Sequence, residues 1–161
     1  MEKIFIHYGH SIFDPNQFVD ISLNDESLCN GRKPRNGLWG TDIESYHGWK
    51  EVLLSDLAIM RNEKWRLEKS FIFTLNESTK LLAIKKEEDF INLLFPYFRN
   101  TEIDFSSIPI IKYQVDWKKV AEDYDAIEVY AGSNEILKAI FYGWECDSIC
   151  VFHKKNILII Q

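Results

Sequence analysis

Cysteine is scarce in this 161-residue chain: only Cys29, Cys146 and Cys150 occur, and no two form a C-x-x-C pair. That leaves no disulfide framework and no set of four zinc ligands at a recognisable spacing, so no metal is expected. Three thiols in a reducing compartment is the simplest account. No run reaches the ~18 apolar residues a membrane span needs. Met1–His10 has no charged segment leading into an apolar stretch and a small-residue cleavage site, so a cytoplasmic protein is expected. Neither G-x-x-x-x-G-K-[ST] nor G-x-G-x-x-G is present, which excludes phosphate-loop and Rossmann readings at motif level. Ser11, Ser45 and Ser148 have no nucleophile-elbow context. Basic residues are outnumbered, 19 Lys and Arg against 25 Asp and Glu, for a net charge of −6. A phosphate backbone is bound chiefly through Lys and Arg, so nucleic acid is not an expected partner.

What is abundant is aromatic. Eleven Phe, seven Tyr and five Trp must be absorbed by a core or by a pocket that stacks flat rings. The length suits one domain over residues 1–161, with no repeat, low-complexity tract or linker. One basic cluster interrupts the acidic balance, in Gly31-Arg32-Lys33-Pro34-Arg35-Asn36-Gly37. A solvated loop is its plainer reading and an anion clamp its sharper one.

Hydrophobic periodicity places the elements. Lys3–Tyr8 reads as a first strand before Gly9, and Ser11–Asn36 as a long irregular segment rich in turn residues. Gly37–Thr41 reads as a very short strand. The spacing of Trp49, Val52, Leu53, Leu57 and Met60 predicts a helix over 45–61, broken near Ser55-Asp56. Phe71–Leu75 and Lys80–Ile84 read as strands joined by a hairpin-length loop. Phe90, Leu93, Leu94, Tyr97 and Phe98 form a helical stripe after the acidic start Glu87-Glu88-Asp89. Asp116 is placed to cap a helix Trp117–Asp123, and Ser133 one carrying Ile136, Leu137, Ile140 and Phe141. Ala126–Tyr130, Asp147–Phe152 and Ile157–Ile160 read as strands. The expected fold class is α+β: a mixed, mostly antiparallel sheet with inserted helices.

Three of these stretches carry more than packing: Phe5-Ile6-His7-Tyr8-Gly9, Gly37-Leu38-Trp39-Gly40-Thr41 and Asp147-Ser148-Ile149-Cys150-Val151-Phe152. In that order they resemble the three motif strands of the ADP-ribosyltransferase superfamily, in its histidine-containing branch of poly-ADP-ribose polymerases and diphtheria-toxin-like enzymes. Asp123-Tyr124-Asp125-Ala126-Ile127-Glu128-Val129, the strand at 147–152 and a closing Ile157 are similar to the ending of many such transferases. The likeness covers most of the order of elements but only about a dozen residue identities. It implies a split β-sheet, NAD as the substrate, no metal, and a protein as the target.

The chemistry accounts for these residue types. Cleaving the nicotinamide–ribose bond passes through an oxocarbenium-like sugar. The resemblance implies that His7 bonds a ribose hydroxyl and that backbone groups at Tyr8 and Gly9 grip the nicotinamide amide. Trp39 or Tyr8 would stack on the nicotinamide, and Lys33 or Arg35 would neutralise the pyrophosphate. Thr41, closing the second motif, and Ser148 complete the expected cofactor contacts. The catalytic pair would be His7 with Asp147, whose carboxylate would stabilise the cationic sugar. The family's acid, however, falls at Ser148, and a one-residue shift in a regular strand turns a side chain to the other face. Either a bulge at Glu145–Asp147 brings Asp147 inward or the acid is missing, with Glu128 a less favoured replacement.

Two readings follow. One is an NAD-dependent mono-ADP-ribosyltransferase, a glycosyltransferase of the kind found among toxins and phage effectors. The other is a catalytically inactive domain of the same fold, acting as a protein-binding inhibitor or immunity module. A generic α+β module stands if the three motifs do not meet in space.

Overall fold

The computed structural model of the protein describes residues 3–21, 30–31, 33–34, 36–104, 110–141 and 143–160. Its architecture is α+β, with a mixed, mostly antiparallel seven-stranded sheet, a second sheet of three strands, and short helices between them. The strands are β1 Ile4–Tyr8, β2 Asn30–Gly31, β3 Leu38–Asp42, β4 Ser70–Leu75, β5 Leu81–Ile84, β6 Phe98–Asp104, β7 Ile110–Asp116, β8 Ala126–Val129, β9 Ser148–Val151 and β10 Ile157–Ile159. The large sheet runs β10-β4-β1-β3-β9-β8-β5 and the small one β2-β7-β6. Among the described residues only β5 and β8 pair in parallel.

Strand β3 links the two halves of the large sheet, pairing with each over only part of its length. Its end pairs with β1, Phe5 to Asp42 and Ile6 to Thr41, and its beginning pairs with β9, from Leu38–Val151 to Gly40–Ile149. The β1–β3 register stops at Ile6, so His7 and Tyr8 continue past the last paired residues. Gly40 makes the close approach feasible: a Cβ there would stand 2.9 Å from the Ile6 carbonyl oxygen and 2.9 Å from the Phe73 ring.

Alternation along β8 and β9 builds two cores at once, because successive side chains leave a strand on opposite faces. Ile127, Val129, Cys150 and Phe152 join Leu82, Ile84, Trp117, Leu137 and Phe141 in the larger cluster. Ala126, Ile149 and Val151 join Phe5, Phe73 and Ile157 in the smaller. Cys146 and Cys150 are both buried free thiols.

The structure modifies several expectations. The segment after β4 is short, but β4 and β5 are not hairpin partners: β4 lies between β10 and β1, while β5 takes the far edge beside β8. The predicted helix over 45–61 is two helices, α1 Trp49–Leu54 and α2 Asp56–Met60, divided at Ser55 as expected. The stripe after Glu87 is a helical turn Glu87–Asp89, α3, followed by π and 3₁₀ turns, and Phe98 already belongs to β6. Asp116 does cap Trp117–Asp123, α4, accepting from the Lys119 amide at 3.2 Å. The cap of the next helix, α5 Glu135–Ile140, is Asn134 rather than Ser133, since its side chain accepts from both Ile136 and Leu137 amides. The hairpin-like pair β6–β7 was not visible in the sequence pattern. Among the described residues no helix is long and apolar enough to cross a membrane.

Candidate functional site

A cleft of about 460 Å³ lies beside the junction of β1 and β3. His7, Tyr8 and Gly9 from the end of β1, Trp39 and Gly40 from β3, Ser148 from β9, and Lys33 all contribute to its wall. Six of the residues singled out from the sequence, His7, Tyr8, Gly9, Lys33, Trp39 and Ser148, thus share one cavity. They come from positions as distant as 7 and 148.

His7 bridges from β1 to β3. Its Nδ1 lies 2.6 Å from the Trp39 carbonyl oxygen, which accepts, so that nitrogen carries the proton. Nε2 is then the acceptor for the Nδ1–H of His10, at 2.9 Å. The two imidazole planes lie within 21° of each other with centroids 5.1 Å apart, and the His7 ring also meets Phe71 at 4.9 Å. Burial pushes the pKa of His7 below its ordinary value. The bond to Trp39 opposes this and the charges of His10 and Arg66 reinforce it.

Gly9 ends β1 at φ +111, a backbone region that favours glycine. Its N–H donates to the Lys69 carbonyl at 2.7 Å. This bond ties β1 to the 3₁₀ turn Lys64–Glu68 and leaves that amide engaged within the protein rather than directed at a ligand. The Trp39 ring packs edge-on against Trp144, with centroids 4.8 Å apart, and Lys33 Nζ sits 5.9 Å from its centroid. Ser148 Oγ donates to the Cys146 carbonyl at 3.0 Å.

The remaining expected residues lie elsewhere. Asp147 is buried, but its carboxylate is used by the scaffold: Oδ1 accepts from the Gly132 amide at 2.8 Å and Oδ2 from Ser45 Oγ at 3.0 Å. Thr41 Oγ1 donates to the Asp147 carbonyl at 2.8 Å, so Thr41 belongs to this network and not to the cleft wall. Glu128 stands opposite Ile149 in the β8–β9 register, on the face away from Ser148 and Val129. There it pairs with Lys3 at 2.5 Å, and Lys3 also reaches Tyr130 at 2.6 Å and Asp42 at 3.2 Å. Arg35 lies outside the described residues. No carboxylate lines the cleft among the described residues.

Sequence reasoning passed over several wall residues. Trp49, Trp65 and Trp144 join Trp39, so four of the five tryptophans face one cavity, and Arg66 adds a second cation. The Nε1 of Trp49 is buried without an acceptor among the described residues. The count of tryptophans was the available signal, but helical spacing made Trp49 read as a core residue. Among the described residues no cluster of three His, Cys, Asp or Glu could hold a metal ion. No family model, no curated protein and no solved structure matches the chain.

Proposed function

We propose that the cleft binds NAD and that the protein is an NAD-dependent mono-ADP-ribosyltransferase-like protein acting on a protein target. The observation that carries this reading is the meeting of His7, Trp39 and Ser148, one from each motif stretch, on one cavity wall. The partial pairing of β3, with β1 at its end and β9 at its beginning, supports the reading of a sheet related to the one the resemblance implies. The wall chemistry also suits such a ligand: flat rings for heterocycles, Lys33 and Arg66 for phosphates, and no opposing carboxylate among the described residues.

In the transfer, the bond from the ribose C1′ to nicotinamide breaks and the electron pair leaves with nicotinamide. A nucleophile of the target bonds C1′ and loses its proton to solvent. The wall supplies binding and orientation. Among the described residues no carboxylate faces the cleft, a lining that suits single transfer better than chain elongation and that also suits the second reading, an inactive domain of this kind that binds a protein as an inhibitor or immunity module.

Calorimetric titration with NAD, paired with a labelled-NAD transfer assay, separates the two. Binding with turnover that His7→Ala abolishes supports the transferase. Binding without turnover removes the transfer step, and no binding at millimolar NAD together with a stable complex with a basic partner protein supports the inactive domain.

A further inference from the structure

We propose that the base of the bound nucleotide stacks on the half-exposed indole of Trp65 and that Arg66 takes its phosphate, an assignment that rests on the reading of the cleft as an NAD site. A stacking ring needs a surface not already committed to another ring. Trp39 and Trp144 are committed to each other, and Trp144 also meets Phe141 at 5.7 Å. Trp65 lines the same cleft, is 47% exposed, and has no aromatic partner among the described residues. Its ring neighbours are two cations, the Arg66 guanidinium carbon and Lys69 Nζ, each 5.8 Å from its centroid. Nearly half of this residue's surface is left to solvent, and a planar base would cover the ring.

Arg66 follows Trp65 on the same 3₁₀ turn and also lines the cleft. Its pairing with Glu63 is 3.5 Å long and partly exposed on both sides, the kind of ion pair that water and salt weaken. The planar guanidinium matches a phosphate through two parallel bonds. The Gly9–Lys69 bond holds this turn against the end of β1, which fixes the spacing between Trp65, Arg66 and His7. Charge complementarity selects the ligand class: with Lys33 and Arg66 on the wall and no carboxylate among its described residues, an anionic ligand with a flat base is favoured.

The test is calorimetric titration of the full chain with NAD, AMP, adenosine and nicotinamide mononucleotide, alongside thermal melts. Trp65→Ala should weaken NAD about tenfold or more without moving the melting temperature, and Trp65→Phe should restore part of the loss. Arg66→Gln should weaken NAD and AMP while leaving adenosine unchanged. The mononucleotide that Trp65→Ala weakens identifies the stacked base. The proposal is overturned if either Trp65→Ala or Arg66→Gln binds NAD as the wild type does. If the wild type binds a mononucleotide but not NAD, and these variants weaken it, the stacking site stands and the NAD reading falls. If it binds none of these ligands, both fall.

Discussion

His7 Nδ1 lies 2.6 Å from the main-chain carbonyl of Trp39, across the point where β1 and β3 stop pairing. The side chain thereby takes a backbone acceptor at the place where the sheet opens, and the bond sets which nitrogen is free to act as an acceptor. A neutral imidazole is the form this environment favours, because burial and the nearby charges oppose a second proton.

A pH dependence of stability follows from that preference. The pKa of His7 is lower in the fold than its ordinary value of 6.5, so below that value the unfolded chain binds more protons than the native one. The contribution of His7 is complete above pH 6.5 and is lost as pH falls through the folded pKa. Thermal melts from about pH 7.5 to about pH 5 should show a decline that is smaller in His7→Gln.

Lys3 holds Glu128 on the face opposite Ser148. Burial works against the charge of Lys3, but the bonds to Glu128 and Tyr130 and the charge of Glu128 outweigh it and hold its pKa above the ordinary value. Removing the cation strands a buried carboxylate that is 4% exposed. Lys3→Met should cost about 2–3 kcal/mol in chemical denaturation, the lower range because Lys3 is partly exposed. Lys3→Met combined with Glu128→Leu should recover most of the loss.

Asp147 is expected to matter for stability before chemistry. Its two carboxylate oxygens hold the Gly132 amide and the Ser45 hydroxyl. Asp147→Ala should lower stability by about 1–3 kcal/mol by leaving these donors unpaired. Calorimetry on the folded variant should find the NAD affinity of the wild type. A folded variant with selectively lost affinity would show that Asp147 reaches the ligand.

Gly40 should tolerate no side chain. A Cβ would press on the Ile6 carbonyl and the Phe73 ring at 2.9 Å each, and neither is a flexible chain end. Gly40→Ala is expected to destabilise by about 1–3 kcal/mol, measured by urea unfolding. Ligand affinity should fall with it, since β1 and β3 form two walls of the cleft.

Much of the fold was legible because its signals are local. The strands at 3–8, 126–130 and 147–152 show as short apolar runs, and Asp116 shows as a cap because a side chain and the amide three residues on meet within one turn. The destination of a strand is not local. Residues 76–80 have a length that fits a hairpin, yet β4 and β5 sit on distant positions of the sheet, because pairing is chosen by burial of both faces and not by loop length.

The candidate site divides in the same way. The motif order singled out His7, Tyr8, Gly9, Trp39 and Ser148, and alternation warned that Asp147 and Ser148 leave the strand on opposite faces. The sequence by itself determined that warning, along with the acidic balance, the wealth of rings and the run of α and β elements, since each depends on composition or short period. Only the tertiary structure decided that four tryptophans share one cleft, that Glu128 is spent on Lys3 and Asp147 on Gly132 and Ser45, and that His7 meets Trp39. Those outcomes depend on which distant partners satisfy a buried polar group or cover a ring, and no spacing along the chain encodes them.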